Sequence, residues 1–234
     1  MTTAPWPGRR MPARPLSTGG ERKYIRFAAV GDSFTCPLDD CGPTPVRGWA
    51  ELLVGSLAHD HDVSFCNRAE AGATTSDVRR TQTPAAQAHR PDLAAIVAGL
   101  HDAVRADWDT DTVRYRLMRS ADELAWCGAV LMTVRFHDHA KLLGLATAEE
   151  RRVSERVDAL NDIYDEIDDA YGSIRLDLAE VPEVYDSRFW STHPLQPSTF
   201  GHQVVARAFA DLLVEQGLDF RRTGLDLATA TRLR

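Results

Sequence analysis

The sequence contains no apolar run long enough to cross a bilayer. Its longest apolar stretches are strand-sized, far short of the roughly 20 residues a membrane helix needs. It also lacks a basic stripe: 27 Lys and Arg stand against 34 Asp and Glu, a net charge of −7, which disfavours nucleic acid as a partner. Cysteine is scarce. Cys36, Cys41, Cys66 and Cys127 form no C-x-x-C pair and no regular framework, so they read as reduced thiols of a cytoplasmic protein. Residues 1–22 carry Pro, Gly and Arg but no apolar signal-peptide core, and read as a disordered leader. No internal repeat is present. These absences leave an ordinary globular composition of 234 residues, 44% hydrophobic and 26% charged. That suits one α/β domain over 23–218 with a sizeable core, followed by a polar tail over 219–234. The Arg- and Ala-rich composition is in keeping with a bacterial source.

From Tyr24 onward, strand and helix patterns alternate. Apolar runs suited to buried parallel strands are Ile25–Val30, Val63–Cys66, Leu93–Ala98, Ala129–Val134 and Ile174–Leu178. Helical patterns fill 47–58, 75–89, 110–126, 148–171 and 198–216. In the fourth helix, Thr147 and Glu150 match a capping box, and Val153, Val157, Leu160, Ile163 and Ile167 make one apolar stripe beside a solvated charged face. Five β-α repeats predict a three-layer αβα sandwich around a five-stranded parallel sheet in the order 2-1-3-4-5. Ligands of such sheets sit beyond the carboxyl ends of the strands. The segments expected to converge are therefore 31–41, 67–73, 99–108, 135–146 and 179–197.

Each of these segments holds polar residues. The first has Asp32 and Ser33 in "VGDSFTCPLDD"; the second, "NRAEAG", has Asn67 and Gly72; the third, "AGLHDAV", has Gly99, His101 and Asp102. The fourth, "RFHDHA", has Arg135, His137 and His139, and the fifth, "WSTHPLQPSTFGH", has His193 and Gln196. Gly-Asp-Ser-Phe after the first strand resembles the SGNH (GDSL-type) hydrolase family. The likeness continues in Asn67 and Gly72, in Gly-x-His-Asp at 99–102 where the family has Gly-x-Asn-Asp, in "RGWAELL" and "RPDLAAIVAGLHD", and in the block before the last helix. It runs in order over about 26–215. The resemblance implies the flavodoxin-like SGNH-hydrolase fold, an esterase-type hydrolase acting on a small molecule, and no cofactor or metal. Carried over position by position, it makes Ser33 the nucleophile. It gives the oxyanion site to the Ser33 and Gly72 N–H groups and the side chain at 101, with Asn67 and Asp102 beside them.

The last block departs from the family. There the pattern is Asp-x-x-His, with Gly-His five residues after the catalytic His. Counting back from Gly201-His202 without a gap puts Gln196 at the base and His193 at the Asp; only a three-residue insertion lets His193 play the usual role. Gln can donate and accept hydrogen bonds but cannot shuttle a proton near neutral pH. Loss of the base in a serine hydrolase lowers kcat by roughly 10⁶, about 8 kcal/mol of barrier. His193 or His101 is then the surrogate base, and Gln196 orients substrate or a water. His101 can equally donate to an oxyanion. The remaining polar residues have plainer readings. His137 and His139 form an H-x-H without diagnostic zinc-ligand spacing, Cys36 reads as an inert thiol, His202 as structural, and Asp32 as the residue that ties down the Ser33 turn.

Three functions remain open on the sequence. The first is Ser33-dependent acyl chemistry, hydrolysis or transfer, on a small ester or lactone-like metabolite. The second is non-hydrolytic acid–base tailoring in natural-product biosynthesis, by cyclisation, dehydration or proton transfer. The third is a non-catalytic binding module. No nucleic acid and no membrane enter any of them, and no oligomeric state is implied.

Overall fold

The computed structural model describes residues 22–36, 46–193 and 195–225, and of His139 only the backbone. The expected leader up to residue 21, Cys41 and the tail beyond 225 lie outside the described residues. The five strands β1 (Tyr24–Gly31), β2 (Asp62–Asn67), β3 (Leu93–Val97), β4 (Val130–Arg135) and β5 (Ile174–Asp177) form one sheet in the order β2-β1-β3-β4-β5. Every neighbouring pair is parallel. The sequence predicts this order and these strands to within a residue or two. The central strands carry no polar face because both faces are covered: all five residues of β3 are buried.

The helices are α1 (Trp49–Leu57), α2 (Thr75–Asp77), α3 (Thr83–Ala88), α4 (Leu100–Ala103), α5 (Thr110–Trp126), α6 (Thr147–Tyr171) and α7 (Thr199–Glu215). The first and last pack together over one face of the sheet, where Trp49 stacks on Phe209 with ring centroids 4.7 Å apart. Helices α3, α5 and α6 cover the other face. The expected helix over 75–89 is interrupted by one π turn, Val78–Gln82, between α2 and α3. Chain packing continues past the boundary at 218 that the sequence suggests. Phe220 and Leu225 are buried, and Arg221 pairs with Asp60.

One local expectation fails. The capping box of Thr147 and Glu150 does not form: Ala146 holds the extended N-cap conformation, its carbonyl accepting from Glu149 and Glu150, and no side chain caps it. Thr147 already lies inside the first turn, where its hydroxyl cannot reach the free N–H groups as an N-cap side chain does. The apolar stripe is as expected, with Val153, Val157, Leu160, Ile163 and Ile167 all buried.

Three buried side chains close the carboxyl edge of the sheet. The Gln82 carboxamide accepts from Gly31 N–H at 2.7 Å and donates to Gly31 C=O at 3.0 Å. The Tyr164 hydroxyl accepts from Ala98 N–H at 2.9 Å and donates to Ala98 C=O at 2.8 Å. Asn161 serves Phe136 in the same way, with both bonds 2.8 Å. Each pair satisfies backbone groups that leave the ladder without leaving the interior.

His202, on the inner side of α7, is fully buried, and its Nδ1 accepts from the Trp49 N–H at 3.3 Å. Burial pushes its pKa down to about 3. The folded state therefore holds it neutral, while the unfolded chain protonates it near 6.5. Stability from this residue is fully present above 6.5 and erodes as pH falls towards 3. His137, also depressed by burial, acts in the same direction, whereas Asp32, raised by burial to about 7, acts in the opposite one. We expect His202→Gln to be least stable relative to the parent at pH 7.5. The gap should narrow by about 2 kcal/mol at pH 5, measured by urea unfolding of both proteins. A gap independent of pH would contradict a neutral buried imidazole.

Candidate active site

The site forms where β1 ends. Gly31 has φ +150, and a Cβ there would fall 2.0 Å from the Val97 carbonyl oxygen, so only glycine lets β1 run this close to β3 at its last residue. The next residues turn at once. Thr35 and Cys36 N–H donate to the Asp32 carbonyl at 3.0 and 2.9 Å, and Phe34 N–H donates to the Asp32 carboxylate at 3.0 Å. Asp32 thus ties down the turn as the sequence suggests, and burial pushes its carboxyl up to about 7. Ser33 sits at the tip.

Two groups meet the Ser33 hydroxyl. Gly72 N–H donates to Oγ at 3.0 Å, and His101 Nε2 lies 3.1 Å from it. Gly72 has φ +77, the left-handed conformation that aims its N–H inward. The loop bearing it is fastened to β1 by Arg68 N–H on Ala29 C=O and Glu70 N–H on Gly31 C=O. Asn67 shapes the start of that loop, its side-chain oxygen accepting from Ala69 N–H at 3.0 Å; no described contact takes it to Ser33. His101 is half-buried, and burial holds its pKa below the ordinary 6.5 although Asp102 pulls the other way. A neutral imidazole therefore faces the serine at neutral pH, with Nε2 able to accept its proton in the Nδ1–H tautomer.

Asp102 makes no described hydrogen bond to Ser33 and is held by Thr75 instead. Its carboxylate accepts from Thr75 N–H at 2.8 Å and from Thr75 Oγ at 2.7 Å, and Arg116 stands 4.0 Å off. It therefore fastens the segment just after Gly72 to the helix that carries His101. Gln196 is buried and His193 exposed. Both line the same cavity as Ser33 and His101, but no hydrogen bond joins either side chain to Ser33 among the described contacts. His193 is tied through its backbone: its carbonyl accepts from Gln196 N–H at 2.9 Å. His137 lies in packing, stacked on Trp190 at 5.1 Å. Among the described residues no grouping of three or more His, Cys, Asp or Glu is placed to hold a metal ion. No helix among them is long and apolar enough to cross a membrane.

The model of the GDSL-like lipase/acylhydrolase family matches residues 29–204. The chain belongs to this family. No protein of the curated set matches it in sequence. Among solved structures, it is similar to TesA, with 19% identity, a TM-score of 0.63 and coverage of 82% of this chain and 99% of that one. It is also similar to an acetylxylan esterase from Geobacillus stearothermophilus, with 19% identity, a TM-score of 0.60 and coverage of 86% and 96%. A third is the psychrotrophic esterase EstA from Pseudoalteromonas sp., a structure inhibited by monoethylphosphonate, with 14% identity, a TM-score of 0.62 and coverage of 82% and 97%. Likeness at these identities establishes the GDSL-type fold.

Within this GDSL-type frame, the structure brings Ser33, Gly72 and His101 into one cluster and leaves His193 and Gln196 on the cavity wall. Sequence reasoning missed Gln82. It lies in a stretch that reads as plain amphipathic helix, and nothing in the residue pattern marks the π turn that places its amide on Gly31, two residues before Ser33. Gln82→Met keeps the side chain's bulk and removes both bonds. We expect a stability loss of about 1–3 kcal/mol from the orphaned Gly31 N–H. We also expect about a tenfold or greater fall in Ser33 reactivity towards a fluorophosphonate, because small displacements of a nucleophile are costly. Unchanged reactivity alongside reduced stability would show that the clamp serves the fold alone.

Proposed function

We propose that this protein performs Ser33-dependent acyl chemistry on a small ester or lactone-like metabolite, with His101 in place of the family's usual base. The observation that carries this reading is the 3.1 Å approach of His101 Nε2 to Ser33 Oγ, while Gly72 N–H holds the other side of the same oxygen at 3.0 Å. Ser33 attacks the substrate carbonyl carbon as its proton passes to Nε2. The carbonyl π electrons move to oxygen, and the oxyanion lies against the backbone N–H groups of Gly72 and Ser33. The Ser33 N–H makes no hydrogen bond among the described residues. Collapse expels the alcohol, which takes the proton from His101, and water or an acceptor alcohol repeats the sequence on the acyl-enzyme. Gln196, buried on the cavity wall, orients the substrate or that incoming water.

No carboxylate bonds His101 Nδ1 among the described contacts. Loss of the orienting carboxylate lowers the kcat of a Ser-His-Asp triad by roughly 10⁴, so a low kcat is part of the proposal.

The test is the intact mass after incubation with a fluorophosphonate. The parent and His193→Ala should each gain one adduct, Ser33→Ala none, and His101→Ala at a rate reduced about 100-fold or more. Because the base acts only when neutral and its pKa lies below 6.5, the labelling rate should rise with pH, reach its midpoint below 6.5 and stay flat through 8. An adduct lost with His193→Ala but kept with His101→Ala would assign the base to His193. If the parent takes no adduct, Ser33 is not a nucleophile, and acid–base chemistry by His101 becomes the reading to pursue.

A further inference from the structure

Two cavities flank α4. One, of about 560 Å³, is lined by polar residues including Thr74, Asp77, Asp102, Arg105 and Arg116, and Ser33 is not among them. The other, of about 310 Å³, holds Ser33 and His101, and its walls include Val104, Leu143, Leu145, Val153 and Leu195. Five aliphatic side chains beside a reactive hydroxyl say more about the substrate than the hydroxyl does.

The direction of this second cavity follows from α6. Leu160 packs against Gly99, where a Cβ would come 2.6 Å from it. Arg156 donates to the carbonyls of Ala103 and Arg105 at 2.8 and 2.7 Å. Successive turns of α6 thus climb outward from the sheet edge along α4. At about 1.5 Å per residue, Arg152 stands roughly 12 Å beyond Leu160. Ser33 and His101 mark the inner end of the cavity. The outer end is marked by Glu149 and Arg152, which also line it and pair at 3.4 Å.

We propose that this cavity receives a medium-length aliphatic acyl chain, its carbonyl at Ser33 and its tail ending against the Glu149–Arg152 pair. Position of the carbonyl rests on the acyl-chemistry reading above. A volume of about 310 Å³, at roughly the 30 Å³ that a water occupies in the liquid, takes about ten non-hydrogen atoms, which fits an acyl group near octanoyl. Acetyl would leave most of the aliphatic wall uncovered, whereas each buried methylene favours binding by about fourfold. A tail ending in a charge would lose water against Leu143, Leu145 and Val153 and find two side chains that already neutralise each other. A much longer tail would have to displace that pair.

The experiment measures kcat/KM for p-nitrophenyl acetate, butyrate, octanoate and palmitate, together with calorimetric Kd values for the acetate and octanoate ions, in the parent protein and in Leu145→Trp. The proposal expects kcat/KM to rise by about tenfold or more from acetate to octanoate and to fall at palmitate. Octanoate should bind more tightly than acetate, and the octanoate-to-acetate ratio should drop about tenfold in Leu145→Trp as the indole fills the cavity. Turnover that favours acetate, or is indifferent to chain length, overturns the acyl pocket while leaving Ser33 chemistry intact. If no ester is turned over, the acyl-chemistry reading fails and binding decides. Tighter octanoate binding that Leu145→Trp weakens keeps the pocket, and equal binding of the two ions overturns it.

Discussion

A parallel sheet covered on both faces has a problem at its carboxyl edge, and the structure of this protein depends on how it is solved. Where the chain leaves the ladder, backbone N–H and C=O groups lose their strand partners before they reach water. Gln82, Tyr164 and Asn161 each supply a donor and an acceptor to one such residue: Gly31 at the end of β1, Ala98 just past β3 and Phe136 just past β4. An unsatisfied group at any of these points would cost about 1–3 kcal/mol, so the clamps set where each loop begins. Two of them come from α6, which fixes that helix against β3 and β4 and so fixes the wall it contributes to the Ser33 cavity. The loops bearing Ser33, His101 and His137 all start from a clamped residue.

That constraint explains which parts of the molecule were legible in the sequence. Strands buried on both faces must be short apolar runs, and helices with one wet face must show a stripe, so β1–β5 and the longer helices could be read off directly. Their order follows from right-handed crossovers, and the position of the site from the carboxyl edge. Ser33, Gly72 and His101 are legible in the sequence because that rule, with the family likeness, brings their loops together. The clamps themselves were invisible. A Gln, a Tyr and an Asn inside amphipathic helices look like solvent-facing or core residues until the backbone they satisfy is placed. The Thr147 capping pattern misled for a related reason: a pattern of residue types does not say which residue holds the extended N-cap conformation.

Choosing between His101 and His193 also lay beyond sequence. Both belong to loops at the same sheet edge, and spacing along the chain carries no information about which ring reaches Ser33 Oγ. His101 rides on α4, held by Arg156 on the carbonyls at its end and, through the neighbouring Asp102, by Thr75. His193 sits in an exposed turn whose described hydrogen bonds are its own backbone with Ser191 and Gln196. The more firmly held imidazole, His101, is the one that stands 3.1 Å from Ser33 Oγ.

In the proposed mechanism, His at position 101, where the family has Asn, carries a cost that the chemistry partly returns. An amide there can only donate to the oxyanion. An imidazole whose Nε2 accepts the Ser33 proton cannot donate from that nitrogen at the start, so the resting site has the Ser33 and Gly72 N–H groups alone for the developing charge. Once the proton has moved, however, Nε2–H belongs to an imidazolium beside the tetrahedral centre, and a charged donor is stronger than the amide it replaced. Burial that holds the His101 pKa down keeps the base ready in the ground state and makes the imidazolium eager to give its proton to the leaving group. Gln196, neutral at every working pH, completes the change. A buried amide on that wall needs no counter-charge, so a base carried on α4 would leave no ionised residue stranded at position 196.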